Sequence, residues 1–179
     1  GAVAQWLRDE MKMIENSAQS ESRALECQNT HGVYVVPAFT GLGSPYWDNE
    51  TRGAVFGLTR GSNRNHFIRA SLDSIAYQCK DIFIAMSEDS SIKVKSLKVD
   101  GGATANKYLM QFQSDILNTV IKIPSCLETT ALGAAYLAGL NTGFYSSLKE
   151  IETIHCFQAS FKPTLSLKEV ESLYDGWKK

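Results

Sequence analysis

The chain predicts an α/β fold, and three observations carry that reading. Short apolar runs alternate with amphipathic stretches along the sequence. One stretch repeats apolar residues at steps of three and four: Ile68, Leu72, Ile75, Cys79, Ile82 and Met86 form a continuous helical face. A third stretch runs from an apolar segment, Leu97 to Val99, into Asp100-Gly101-Gly102. Beyond it Leu109, Phe112, Gln113 and Ile116 fall at helical spacing, so two glycines sit at a strand-to-helix turn.

The elements follow in order. Gln5 to Ile14 is rich in helix formers and predicts the first helix. Asn16 to Thr30 is polar and reads as a surface connection. Val33 to Phe39 is β-branched and aromatic, a strand interrupted by Pro37. Gly41 to Arg52 reads as a long loop, and its Tyr46 and Trp47 are expected to pack on their own domain. Ala54 to Leu58 predicts a second strand. The long helix is expected over Asn65 to Met86, with Asn63 or Asn65 as its cap and Cys79 as a small core residue. Leu97 to Val99 and Val120 to Ile123 are expected as strands of one sheet. Glu128 to Gly139 is a small-residue helix whose alanines and glycines permit close packing on that sheet, with Gly143 as a C-cap. Phe161 to Pro163 reads as a linker, and Leu165 to Trp177 as a closing helix with Leu167, Val170, Leu173 and Tyr174 on one side.

The composition bounds the chemistry. A length of 179 residues suits one domain or a large part of one, and 44% hydrophobic with 21% charged residues suits a globular core. A net charge of −1 gives no electrostatic case for nucleic acid or for a membrane surface. No apolar run is long enough to span a bilayer, and no secretory leader or initiator Met opens the chain. It therefore reads as a piece of a longer cytoplasmic protein. Cys27, Cys79, Cys126 and Cys156 lie far apart, which suits reduced thiols and neither a zinc site nor a redox pair. Without a leader, Asn49-Glu50-Thr51 is a chance match to a glycosylation acceptor. No dinucleotide fingerprint, P-loop, zinc-protease or nucleophile-elbow motif occurs. His31, His66 and His155 show no ligand spacing, and His66 is read as structural. Asp100 is read as fixing the glycine turn by accepting backbone N–H groups.

That turn is the strongest candidate for a binding site. Glycines without Cβ let a flat ligand approach, and the helix beyond is expected to offer unpaired N–H groups and the positive end of its dipole. A nucleotide is the ligand that suits such a place.

Longer motifs then carry a resemblance. Gly32 to Gly43 is followed by Pro45-Tyr46-Trp47-Asp48, and Arg52 to Gly61 leads to His66 and the long helix. Val99 to Asn106, Met110 to Leu117 and Glu128 to Gly139 complete the set. Over essentially all its length the chain resembles the C-terminal domain of glycerol kinases, within the carbohydrate kinase family that includes xylulose and gluconate kinases. The resemblance implies an actin-like ATPase (ribonuclease H-like) fold, a mixed sheet flanked by helices. Residues 1–179 would be the C-terminal nucleotide-binding domain, truncated at its N-terminal side, with 161–179 as a C-terminal linker and helix. Two such domains close on ATP and sugar. The parent implied is a homo-oligomeric, cytoplasmic ATP-dependent kinase that turns glycerol into glycerol 3-phosphate.

The resemblance also implies the adenine contacts: Gly102 and Asn106, joined by Gln5 and Gly1 ahead of Trp6. Val3-Ala4 stands where the family commonly has Ser-Ile. Asn106 offers both a donor and an acceptor to a base or ribose, and its other reading is a residue that bonds the start of its helix. The catalytic carboxylate, the glycerol contacts and the glycines that hold the phosphates and Mg²⁺ lie upstream in the family. No catalytic residue or metal ligand is therefore assigned here, and the isolated fragment is expected to be inactive. Two alternatives stand beside this: a kinase for another polyol or sugar, and a non-catalytic actin-like module that binds a nucleotide or a protein partner.

Overall fold

The computed structural model describes residues 2–90, 94–154 and 156–179. In chain order they form α1 (Ala2–Asp9), α2 (Gln19–Leu25), β1 (Tyr34–Val36), β2 (Ala54–Phe56), α3 (Arg64–Ser90), β3 (Ser96–Lys98), α4 (Lys107–Leu117), β4 (Val120–Pro124), α5 (Thr129–Asn141), α6 (Leu148–Ile154), β5 (Phe157–Phe161) and α7 (Leu167–Lys178). A 3-10 turn, Gly102–Ala105, separates β3 from α4.

α3 is the axis of the structure. Asn63 caps it: its carboxamide accepts from the N–H groups of Asn65 (2.9 Å) and His66 (3.2 Å). His66 Nδ1 accepts the Asn63 N–H in return at 3.2 Å, and its ring stacks on His31, so its role is structural as expected. The expected apolar face holds only in the first half. Ile68 and Leu72 are buried, whereas Ile82 is 41% and Met86 64% exposed. The first half is instead enclosed on several sides. Leu7 of α1 clusters with Ile68, Val33 and Val35 cluster with Ala70, and Phe112 and Ile116 of α4 cluster with Ala76 and Tyr77.

The sheet is mixed. β3 and β4 are parallel, with Leu97 opposite Ile121, and β5 pairs antiparallel to β4. Leu109, Met110 and Leu117 of α4 pack with Ile121 and Ile123 beneath it. Both expected strands share this sheet, and β5 joins them where the sequence suggested none. Phe161 therefore closes a strand rather than opening a linker. α5 does not flank the sheet as its small residues suggested, for none of its residues is buried. Its close packing is local: a Cβ on Gly139 would lie 2.6 Å from the Tyr145 ring.

Buried carboxylates lock the helices together. Asp73 of α3 accepts the Tyr108 hydroxyl of α4, and Asp81 accepts the Tyr174 hydroxyl and the Trp177 indole N–H (3.0 Å) of α7. Asp115 of α4 accepts from the N–H groups of Thr164 and Leu165 and from the Gln111 amide, which fixes the approach to α7. Ser166 and Glu169 then start α7 with a reciprocal capping box.

The Gly41 to Arg52 loop is compact, since Leu42 and Asp48 exchange backbone bonds and Asp48 accepts from Glu50 and Thr51. Its rings depart from expectation. Tyr46 stays 42% exposed and meets Lys178, while Trp47 is 77% exposed. Trp47 has φ 52, a left-handed conformation that turns the backbone back at the loop tip. Among the described residues no helix is long and apolar enough to cross a membrane.

Candidate functional site

The site is built by the turn after β3. Gly101 has φ 85 and ψ 173, a backbone that suits glycine alone. Gly102 differs. A Cβ added there would meet nothing within 4 Å, so no contact inside the chain requires a glycine at that position. Asp100 does not cap the turn by its N–H groups. Its carboxylate accepts the Thr129 hydroxyl and so ties the turn to the start of α5.

Two of the expected free N–H groups of α4, those of Tyr108 and Leu109, are already taken. Asn106 is the N-cap, and its Oδ1 accepts the Leu109 N–H at 2.8 Å. Glu21 of α2 accepts the Tyr108 N–H at 3.3 Å. The helix start is thus largely satisfied from within, which leaves little of an anion cradle there. The structural reading of Asn106 is realised, and it leaves part of the carboxamide free. Nδ2 donates one hydrogen bond to Ser20 Oγ at 3.3 Å and keeps a second hydrogen.

A cavity of about 300 Å³ opens beside this residue. Gln5, Gly102 and Asn106 all line it, so α1 and the glycine turn converge on one space. Gly1, the fourth residue named from the sequence, lies outside the described residues. Leu72, Ile75 and Leu109 supply an apolar wall, and no charged side chain lines the cavity. The exposed Gln5 amide makes no hydrogen bond among the described residues. An apolar wall edged by two amides suits a flat, neutral ring system, with its polar rim met by directional donors and acceptors. It does not suit a phosphate group. A larger, more open hollow of about 590 Å³ is edged by charged residues of both signs, Arg8, Asp9, Lys12, Glu15, Arg23 and Arg64, and contains none of the expected residues.

Ser17 and Ser20 also line the cavity, and no motif or periodicity points to them. Ser20 belongs to α2 and Ser17 to the turn before it, and the polar composition of Asn16 to Thr30 concealed both. Tyr108 and Asp73 lie behind the site. Burial pushes the Asp73 carboxyl up to about 7, with the Tyr108 hydroxyl and the Arg69 guanidinium opposing it. Burial also raises the Tyr108 hydroxyl, which stays protonated as the donor of that pair. Among the described residues no group of three or more His, Cys, Asp or Glu could hold a metal ion.

Comparison with known proteins bears on the family and the fold. The C-terminal domain of the FGGY family of carbohydrate kinases matches residues 1–142. The chain is 58% identical over all 179 residues to the glycerol kinases of Thermoanaerobacter sp. (strain X514) and Escherichia coli (strain K12 / DH10B), and spans 36% of the length of each. A crystal structure of Plasmodium falciparum glycerol kinase with ADP matches at a TM-score of 0.91 and 35% identity, covering 99% of this chain and 35% of that one. Ligand-bound xylulose kinase from Lactobacillus acidophilus matches at 0.81 with 22% identity, covering 98% of this chain and 35% of that one, and shares the fold.

Proposed function

This chain belongs to the FGGY family of carbohydrate kinases, and on that premise we propose that it is the adenosine-binding part of an ATP-dependent glycerol kinase. The parent would transfer the γ-phosphoryl group of ATP to a glycerol hydroxyl, giving glycerol 3-phosphate. Residues 1–179 would be its C-terminal nucleotide-binding domain, truncated at its N-terminal side, with 161–179 as a tail that includes α7.

The observation that carries the nucleotide reading is the convergence of Gln5, Gly102 and Asn106 on one uncharged cavity. Gly102 supports it independently, because its missing side chain relieves nothing within the protein itself. Such a glycine leaves space for a ring face. Asn106 would give its remaining N–H to an acceptor on the base or ribose, and Gln5 either donates or accepts. Glycerol as the acceptor rests on 58% identity across the whole chain. Among the described residues no group of three or more His, Cys, Asp or Glu gathers as a metal site, and neither an ionisable general base nor a phosphate cradle lines the cavity. Phosphoryl transfer depends on such groups, which this reading places in other segments of the parent.

Steady-state kinetics on the full-length kinase test the reading. Asn106→Ala raises the KM for ATP more than that for glycerol. Asn106→Asp is the sharper variant: it keeps a helix-capping acceptor of similar strength but replaces the donor. It raises the KM for ATP while its melting temperature stays near wild type. An unchanged KM for ATP in both variants removes Asn106 from the nucleotide site.

A further inference from the structure

We propose that Ser20 is a positioning residue for the nucleotide, acting through Asn106; the proposal rests on the nucleotide reading above. Ser20 is 2% exposed and lines the cavity from α2. Its hydroxyl donates to the Ser17 carbonyl at 2.6 Å. A hydroxyl carries one hydrogen, so toward Asn106 the oxygen of Ser20 acts only as an acceptor. Asn106 Nδ2 supplies the matching donor at 3.3 Å. At its other end the same carboxamide accepts the Leu109 N–H at 2.8 Å.

Two anchors therefore hold one amide group. The bond to Leu109 sets which end is oxygen, but a single anchor leaves the carboxamide plane free to pivot. Ser20 removes that freedom. It also fixes what remains to be offered: one Nδ2 hydrogen, which requires an acceptor atom such as a purine ring nitrogen or a ribose oxygen. The adjacent residue strengthens the bracket, because Glu21 holds the Tyr108 N–H at 3.3 Å. Two consecutive residues of α2 thus grip two groups, on Asn106 and Tyr108, at the start of α4. A pre-oriented donor spares the ordering cost that a swinging amide would meet on binding.

The test is a double-mutant cycle in the full-length kinase with Ser20→Ala, Asn106→Ala and the pair together. Ser20→Ala is expected to raise the KM for ATP by about fivefold, near the worth of one net hydrogen bond. Both kcat and the KM for glycerol stay within about twofold of wild type, since the group acts on binding rather than in the transition state. In the Asn106→Ala background the effect of Ser20→Ala disappears. Ser20→Cys fills the same space but accepts weakly, so it gives an intermediate KM for ATP; a wild-type KM there would make Ser20 a mere filler and overturn the proposal. A Ser20→Ala effect that persists in the absence of the Asn106 amide also overturns it. If Asn106→Ala raises the KM for ATP and Ser20→Ala does not, the proposal fails and the nucleotide reading stands. If neither variant moves that KM, both fail.

Discussion

Replacing Asp73 by Asn separates one buried proton from the rest of the acid–base behaviour of this chain. Asp73 is 4% exposed and accepts the Tyr108 hydroxyl. Its nearby cation is divided: the Arg69 guanidinium lies 4.7 Å from the centre of the Tyr108 ring and donates to the Ala24 and Cys27 carbonyls. Burial therefore dominates and pushes the carboxyl from 3.8 up to about 7. The folded form then holds a proton that the unfolded chain releases. Stability is fully present below pH 4, falls as the pH rises toward 7, and is level above that. One proton over about three pH units amounts to at most about 4 kcal/mol. Between pH 5 and pH 8 the share still to be lost is about 2–3 kcal/mol. Urea unfolding of wild type and Asp73→Asn at both pH values measures it. Carboxylates whose hydrogen bonds lower their pKa, such as Asp48 and Glu169, tilt the curve the other way but cancel in the difference between the two proteins. The stability of Asp73→Asn relative to wild type should rise by about 2–3 kcal/mol from pH 5 to pH 8. A difference that stays flat within about 0.5 kcal/mol refutes the buried, proton-holding carboxyl.

Three further substitutions examine the turn and the tail. Gly101→Ala forces a side chain into a left-handed backbone and should destabilise by about 1–2 kcal/mol in urea unfolding. Gly102→Ala meets open space, so stability should hold while nucleotide affinity falls in a titration of the full-length kinase. Asp115→Ala leaves the Thr164 and Leu165 N–H groups without their acceptor, and should cost about 2–3 kcal/mol and speed limited proteolysis ahead of α7.

What the sequence reveals and what it hides divide along physical lines. The strands at Leu97 and Val120 and the helix from Ile68 onward were legible because local periodicity records which side is apolar. Periodicity does not record what lies opposite. The stripe runs on to Ile82 and Met86, but α1 and β1 reach only its first half. Asp73 and Asp81 interrupt the pattern because Tyr108 and Tyr174 meet them from far along the chain. α2 has almost no apolar face; it is held by buried Ser20 and Ala24, which carry no hydrophobic signal. β5 was missed because it is short and largely exposed, with Ala159 and Phe161 alone reaching the core cluster. At the site, the glycine turn was legible from residue types, and Gln5 and Asn106 came from family motifs. Ser20 needed coordinates, since only geometry brings a polar helix against that amide.

α5 carries a consequence of a different kind, one of time rather than of place. Its thirteen residues have no buried member, so its backbone hydrogen bonds are screened from water by little beyond their own turns. A helix of that length is marginal when nothing packs on it. Its amides should exchange with deuterium far sooner than those of α4, whose residues from Leu109 onward are almost all enclosed. Because Thr129 at its first turn bonds Asp100 beside Gly101, the exchange rate of α5 becomes a clock set next to the cavity. Any surface that comes to cover this helix would slow that clock.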